Sequence, residues 1–133
     1  MDIENDLMEQ ARQASKNTYS PYSGFPVGAA ILTSDGKVFT GTNIENRSFG
    51  LTICAERSAI CSAVSAGATG ISAVAVYCPK ADYPVSPCGA CRQVISEFAE
   101  PGCSIAFEGS DGKRVRTTVE AIFPFDALKE LKE

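Results

Sequence analysis

The chain has 133 residues, of which 44% are apolar, and it contains six cysteines and no histidine. That length allows one domain with its own hydrophobic core, and we expect a single domain over residues 1–133. The net charge of −4 disfavours nucleic acid as a partner, because phosphate binding normally needs a basic surface. Without histidine, the chain cannot form a Ser-His-Asp triad, a Cys-His nucleophile or a histidine-based metalloprotease site.

The first half of the chain predicts one helix followed by a hairpin. Apolar and small residues recur at helical spacing over 3–16, which indicates an amphipathic helix. Two β-prone stretches, 27–33 and 37–43, are joined through Asp35-Gly36, a strong signal for a tight turn. We expect these two strands to pair as an antiparallel hairpin.

The second half predicts alternating helices and strands, which implies parallel strands joined by crossovers. The predicted segments are a helix at 54–65, a strand at 72–78, a helix at 88–98 and a strand at 104–107. The turn at 109–112 is too short for a crossover, so a last strand at 113–117 should pair antiparallel. Thr118 resembles a helix N-cap, and Asp126 can cap a final short helix that ends at Leu131.

No apolar run approaches the roughly 20 residues that a membrane-spanning helix needs. The amino-terminal residues 1–10 are acidic and polar, unlike a secretion signal. We therefore expect a cytoplasmic protein with no membrane partner and with reduced cysteines.

Two cysteine motifs carry the chemistry of the chain. One is Cys54-Ala55-Glu56, and the other is a C-x-x-C formed by Cys88 and Cys91 directly after a proline. Cys88 and Cys91 lie three residues apart at the start of a predicted helix, so both sulfurs can reach one ion. A catalytic zinc site keeps three protein ligands and leaves the fourth position open. The pattern matches the three-cysteine form of the signature of zinc deaminases.

Two charged residues follow the first cysteine. Glu56 lies two residues after a ligand, so it can sit beside the metal without binding it and carry protons there. Three thiolates on Zn²⁺ sum to a charge of −1, which needs an offset. Arg57 is the candidate for donating to a ligand sulfur, and Arg92 is a second possibility.

Other interpretations of the cysteines stay open at this point. A structural zinc site could be completed by Cys61, Cys78 or Cys103, although small core residues are the expected role of these three. A thioredoxin-like redox pair is also compatible with a C-x-x-C motif. That alternative leaves Cys54 and Glu56 without a role.

Four blocks, in the same order and over nearly the whole chain, resemble the homotetrameric cytidine deaminases. They are YSPYSGFPVGAA at 19–30, GTNIEN at 41–46, CAER at 54–57 and SPCGACRQ at 86–93. The resemblance implies a three-layer α/β/α fold with a five-stranded mixed sheet. It also implies one Zn²⁺ per chain, bound by Cys54, Cys88 and Cys91, with Glu56 as the proton shuttle.

The same resemblance implies how substrate is held. Asn43 and Glu45 would hold the ribose hydroxyls, Phe25 would pack against the pyrimidine, and backbone groups near Ala55 would contact the base. Each active site would be completed by neighbouring subunits of a homotetramer, through Phe123 or Phe125. One departure is Phe49, where many relatives carry tyrosine.

The expected function is zinc-dependent hydrolytic deamination of cytidine and 2′-deoxycytidine in pyrimidine salvage. A blasticidin S-type deaminase is the nearest alternative, and Asn43 with Glu45 argues against it because that pair suits an ordinary ribose. A nucleic-acid deaminase is disfavoured by the acidic charge and by the short 109–112 hairpin. A non-catalytic zinc scaffold would need a fourth protein ligand and would not need Glu56.

Overall fold

Helices and strands alternate through the computed structural model, which describes residues 2–132. The helices are α1 (Ile3–Ala14), α2 (Ala55–Ser65), α3 (Gly89–Phe98) and α4 (Val119–Ile122). The strands are β1 (Gly28–Thr33), β2 (Val38–Thr42), β3 (Ile71–Tyr77), β4 (Ala99–Glu108) and β5 (Arg114–Thr118). None of the helices within 2–132 is long and apolar enough to cross a membrane.

The strands form one five-stranded sheet in the order β2-β1-β3-β4-β5. Strands β3 and β4 pair parallel, whereas the other neighbours pair antiparallel. Since β1 is antiparallel to both of its neighbours, β2 and β3 also run in the same direction. The predicted hairpin, the parallel crossovers and the antiparallel last strand are therefore confirmed.

Helices cover both faces of the sheet because successive strand residues point to opposite sides. On one face, α1 buries Leu7, Met8 and Ala11 against small residues such as Ala30 of β1. On the other face, the larger cluster includes Ile31 of β1, and α2, α3 and α4 contribute to it. This is the predicted three-layer α/β/α fold.

A glycine sets the position of α2 against the edge strand β2. A Cβ atom at Gly41 would lie 2.4 Å from the Ala59 nitrogen and 2.5 Å from the Ala55 carbonyl oxygen. Any side chain at this position would push the helix away from the sheet. The start of α2, and with it Cys54, is therefore fixed by direct backbone packing.

The strand β4 begins earlier than predicted. Ile71 pairs with Ala99, whereas Ala73 pairs with Ser104, so the intervening residues of β4 bulge out of register. The segment carries Pro101, which cannot donate a ladder hydrogen bond, and the sequence pattern therefore predicted the strand only from 104.

The carboxyl-terminal prediction is correct for Thr118, whereas the final helix differs in type and bounds. The Thr118 hydroxyl accepts from the Ala121 nitrogen at 3.2 Å and caps α4. The Asp126 carboxylate accepts from the Ser96 hydroxyl at 2.6 Å and has a backbone hydrogen bond with Leu128. The segment after it forms a single 3-10 turn, Lys129–Lys132.

Candidate active site

Two helix starts bring three cysteine sulfurs together. Cys54 is the N-cap of α2, Cys88 is the N-cap of α3, and Cys91 lies in the first turn of α3. The three sulfur atoms all lie within 4.8 Å of one another. A tetrahedral zinc ion with Zn–S bonds of about 2.3 Å would need sulfur separations of about 3.8 Å. The number of thiols, their type and their spacing therefore fit one zinc ion.

The metal-binding group has only three members. Within residues 2–132, no other group of three or more Cys, Asp or Glu side chains is placed to hold an ion, and no fourth side chain joins these three. All six cysteines are free thiols. A closed structural zinc site is disfavoured because it would need a fourth ligand. A disulfide framework is disfavoured because none of the six cysteines is bonded to another.

The two arginines considered from the sequence have different roles. Arg57 Nη2 donates to Cys54 Sγ at 3.1 Å. Arg92 donates instead to the carbonyls of Pro87 and Ile122, at 2.8 and 2.9 Å. Arg57 is therefore the residue positioned to offset thiolate charge, and Arg92 holds the loop that leads into Cys88.

The electrostatics of the cluster favour a thiolate at Cys54. A hydrogen bond from Cys91, together with the nearby Arg57 guanidinium, lowers the pKa of Cys54 to about 5. The hydrogen bond that Cys91 donates to Cys54, together with burial, raises the pKa of the Cys91 thiol. The Arg57 Nε atom is buried and has no hydrogen-bond partner among the described residues.

Glu56 lies in the first turn of α2 and is 5% exposed. Burial raises the pKa of its carboxyl group to about 7. A carboxyl group with a pKa near neutral can both accept and donate a proton at physiological pH. The position and environment of Glu56 therefore suit proton transfer beside the cysteine cluster.

A cavity of about 200 Å³ opens onto this cluster. Five of the predicted site residues line it, namely Asn43, Cys54, Ala55, Glu56 and Cys88. Pockets that bury drug-sized ligands measure roughly 300–1,000 Å³. This cavity therefore suits one small molecule.

Asn43 and Glu45 both hold loops in place, and Asn43 also lines the cavity. The Asn43 side chain donates to the Phe25 carbonyl at 2.8 Å and accepts from the Val27 nitrogen at 2.9 Å. Glu45 accepts from the Tyr22 nitrogen at 2.9 Å. Phe25 is partly buried against the core, and neither Phe25 nor Glu45 is among the residues that line the cavity.

Sequence reasoning missed several residues that line the cavity. Val76 lies near the end of β3 and Cys78 directly follows the strand, and both line the cavity. Thr52 and Ser86 also line it. The signal that could have identified Val76 and Cys78 is their place at the carboxyl end of a buried strand that precedes the C-x-x-C loop.

The remaining cysteines divide between core and surface. Cys78 and Cys103 are buried, as predicted. The prediction is wrong for Cys61, which is exposed. The reason is that α2 buries the face that carries Ala59, Ile60 and Ala63, and Cys61 projects from the opposite side.

Comparisons with known proteins agree with this geometry. The family model for the cytidine and deoxycytidylate deaminase zinc-binding region matches residues 1–106. A cytidine deaminase of Sporosarcina psychrophila is 44% identical over 130 residues, which cover 98% of this chain and 94% of the relative. A blasticidin-S deaminase of Bacillus cereus is 43% identical over 105 residues and covers 74% of each chain.

Solved structures show the same fold. The crystal structure of a cytidine deaminase from Burkholderia pseudomallei superposes with a TM-score of 0.87 at 42% identity. The match covers 93% of this chain and 98% of that one. The sequence, the fold and the cysteine cluster lead to one conclusion: the chain belongs to the cytidine and deoxycytidylate deaminase family.

Proposed function

We propose that the protein is a zinc-dependent cytidine deaminase. It hydrolyses the C4 amino group of cytidine and 2′-deoxycytidine, so that one water is consumed and uridine or 2′-deoxyuridine and ammonia are released. The observation that carries the proposal is the buried Glu56 carboxyl group beside three convergent cysteine sulfurs in a small cavity.

Each step assigned to the protein's own groups has a residue in place. Cys54, Cys88 and Cys91 would hold the zinc ion, which supplies Lewis-acid activation of a water molecule when it is bound. Glu56 takes one proton from the attacking water and delivers it to N3 of the base. It then moves the second proton from the new C4 hydroxyl to the amino group, which departs as ammonia. Arg57 holds Cys54 through its hydrogen bond and offsets the negative charge of the thiolates.

The proposed substrate-binding residues retain hydrogen-bonding capacity. Asn43 uses one of its two amide hydrogens and one of the two acceptor positions on its side-chain oxygen, so one of each remains for a substrate hydroxyl. Glu45 retains one acceptor position in the same way. The base would then lie between Phe25 and the backbone near Ala55, at the start of α2.

We also propose a homotetramer in which neighbouring subunits complete each site. Large apolar side chains are exposed on this single chain, including Phe49 at 75%, Leu51 at 65% and Phe125 at 91%. Phe125 is a better candidate than the partly buried Phe123 for reaching a neighbouring site. Molar mass from light scattering during gel filtration tests the tetramer, and a monomer would contradict it.

The proposal includes a single domain, a cytoplasmic location and a nucleoside substrate. The family model ends at 106, but β5 pairs with β4 in the same sheet, which supports a single domain over 1–133. Three thiolate ligands are best preserved in a reducing compartment, which supports a cytoplasmic enzyme of pyrimidine salvage. The acidic net charge favours a nucleoside over nucleic acid as substrate.

The blasticidin S alternative is weaker. The Bacillus cereus relative covers 74% of this chain, whereas the Sporosarcina psychrophila relative covers 98% at similar identity. Turnover of blasticidin S in place of cytidine would favour the alternative.

The decisive experiment measures ammonia release from purified protein of known zinc content. Substrates are cytidine, 2′-deoxycytidine, cytosine, cytidine monophosphate, blasticidin S and a cytosine-containing oligonucleotide. Glu56→Gln should retain zinc and lower turnover by about 10²–10⁴-fold, because it removes the proton carrier. Glu97→Gln, the same change at an exposed position of α3, is the matched control. Full activity in Glu56→Gln would mean that another group carries the proton. No ammonia release by the zinc-loaded wild type from any of these substrates would favour the non-catalytic zinc scaffold.

A further inference from the structure

The Ser23 hydroxyl connects two of the proposed substrate-binding residues. It donates to Glu45 Oε2 and accepts from the Phe25 nitrogen at 3.0 Å. The Ser23 nitrogen also donates to Glu45 Oε1, at 3.1 Å. Ser23 therefore contacts both carboxylate oxygens of Glu45 and the backbone of Phe25.

The turn that carries Ser23 is built to bring these groups together. Gly24 has φ +64°, in the left-handed region that favours glycine, and its nitrogen donates to the Ser20 carbonyl at 3.0 Å. This backbone reversal places the Phe25 nitrogen over the Ser23 hydroxyl. The contact between Ser23 and Phe25 is thus local to the turn, whereas the contact with Glu45 joins the turn to a residue 22 positions away.

Ser23 determines how the Glu45 carboxylate is presented. Oε1 accepts from the Tyr22 and Ser23 nitrogens, so both of its acceptor positions are used. Oε2 accepts from the Ser23 hydroxyl alone and keeps one position for another donor. The Ser23 hydroxyl therefore fixes the orientation of the one acceptor that remains free.

We propose that Ser23 is a positioning residue for ribose recognition: it orients the free acceptor of Glu45 towards a substrate hydroxyl and fixes Phe25 at the same time. The proposal rests on the proposed deaminase function. Loss of the Ser23 hydroxyl should weaken substrate binding while leaving the chemical step intact, because Cys54 and Glu56 are positioned by α2. The lowered pKa of Glu45, caused first by this hydroxyl, keeps the carboxylate ionised and able to accept.

The test compares two substrates, cytidine and 2′,3′-dideoxycytidine, which lacks the ribose hydroxyls that Glu45 would hold. Ser23→Ala should raise KM for cytidine about tenfold, the lower limit for losing a hydrogen bond to a charged group, and change kcat less than about twofold. The same variant should change the kinetics of the dideoxy substrate little. Ser23→Thr retains the hydroxyl and should restore cytidine binding.

The matched control is Ser20→Ala in the same segment. The Ser20 hydroxyl pairs with that of Thr18 at 2.7 Å, so its loss should not alter discrimination between the two substrates. Ser23→Cys, which keeps the volume with a weak donor, gives a second measurement should Ser23→Ala fail to fold.

Three results would overturn the proposal. One is an equal loss on both substrates in Ser23→Ala, which would mean a general structural role. Another is an unchanged KM for cytidine. The third is a wild-type protein, zinc loaded, that deaminates neither nucleoside, and this outcome alone would also refute the proposed function.

Discussion

Arg57→Gln should weaken zinc binding by removing one charge-assisted hydrogen bond to a ligand sulfur. Arg57 Nη2 lies 3.1 Å from Cys54 Sγ, within the range of a hydrogen bond to sulfur. Bonds of this type to charged groups contribute about 1.5–3 kcal/mol. Arg57 is partly exposed, so the lower value applies, and 1.5 kcal/mol corresponds to about a tenfold loss of zinc affinity.

The assay is competition for zinc with a chromophoric chelator, at one pH and one protein concentration. Circular dichroism checks that the variant retains its fold. Arg47→Gln is the matched control, since it makes the same charge change at an exposed position. Its zinc affinity should equal that of the wild type within about twofold, because exposed charges interact weakly through solvent.

A wild-type zinc affinity in Arg57→Gln would refute the predicted role of Arg57. It would mean that the hydrogen bond to Cys54 makes no net contribution to holding the metal. A similar loss in both variants would also count against it, because the effect would then follow net charge rather than contact with the ligand sulfur.

The buried Glu108 carboxylate and the buried cysteines allow two further tests. Glu108 is 3% exposed and forms ion pairs with two arginines. Glu108→Ala should therefore lower the free energy of unfolding by about 3 kcal/mol, because it leaves buried charge unpaired. Urea denaturation at a fixed protein concentration measures this change. Glu9→Ala, which breaks an exposed ion pair, should cost less than about 1 kcal/mol, and equal losses would contradict this expectation. Burial raises the pKa of Cys78 and of Cys103 to about 12, so neither should react with iodoacetamide at pH 8 in the native protein. Zinc removal should make Cys54 reactive in the same assay. Mass spectrometry after digestion identifies the alkylated cysteines, and alkylation of Cys78 or Cys103 would contradict the prediction.

The group of three cysteines was predictable because its sequence signals are local. A C-x-x-C at a helix start places two sulfurs on one side of the helix whatever the rest of the chain does. Cys54 adds a second helix start, and both predicted helices begin where expected. Only the proximity of the two helix starts depends on tertiary structure. The predicted parallel crossovers place both helix starts at the same edge of the sheet.

The misplaced elements depend on contacts that have no local signal. Small size indicates that a cysteine can be buried, but the packing face of α2 decides that Cys61 is exposed. The Asp126 carboxylate keeps a local backbone hydrogen bond with Leu128, but its bond to Ser96, thirty residues away, has no signal in the sequence. The early start of β4 reflects a bulge that depends on its pairing with β3.

The loop contacts of the site were beyond sequence reasoning for the same reason. Ser23 and Glu45 are 22 residues apart, and neither residue type indicates which loop it will contact. The sequence identified Glu45 through its family resemblance. Its bonds to the 22–23 backbone appear only in the folded chain.

The placement of the cysteines on two separate helices has a consequence for folding kinetics. Cys54 and Cys91 are separated by a long stretch of chain that contains α2 and β3, so the contact between their sulfurs is non-local. Such non-local contacts form late, because closing the intervening chain costs entropy before the contacts form. We therefore expect the three sulfurs to come together only late in folding. Zinc should act mainly by slowing unfolding, with little effect on the rate at which the sheet first assembles.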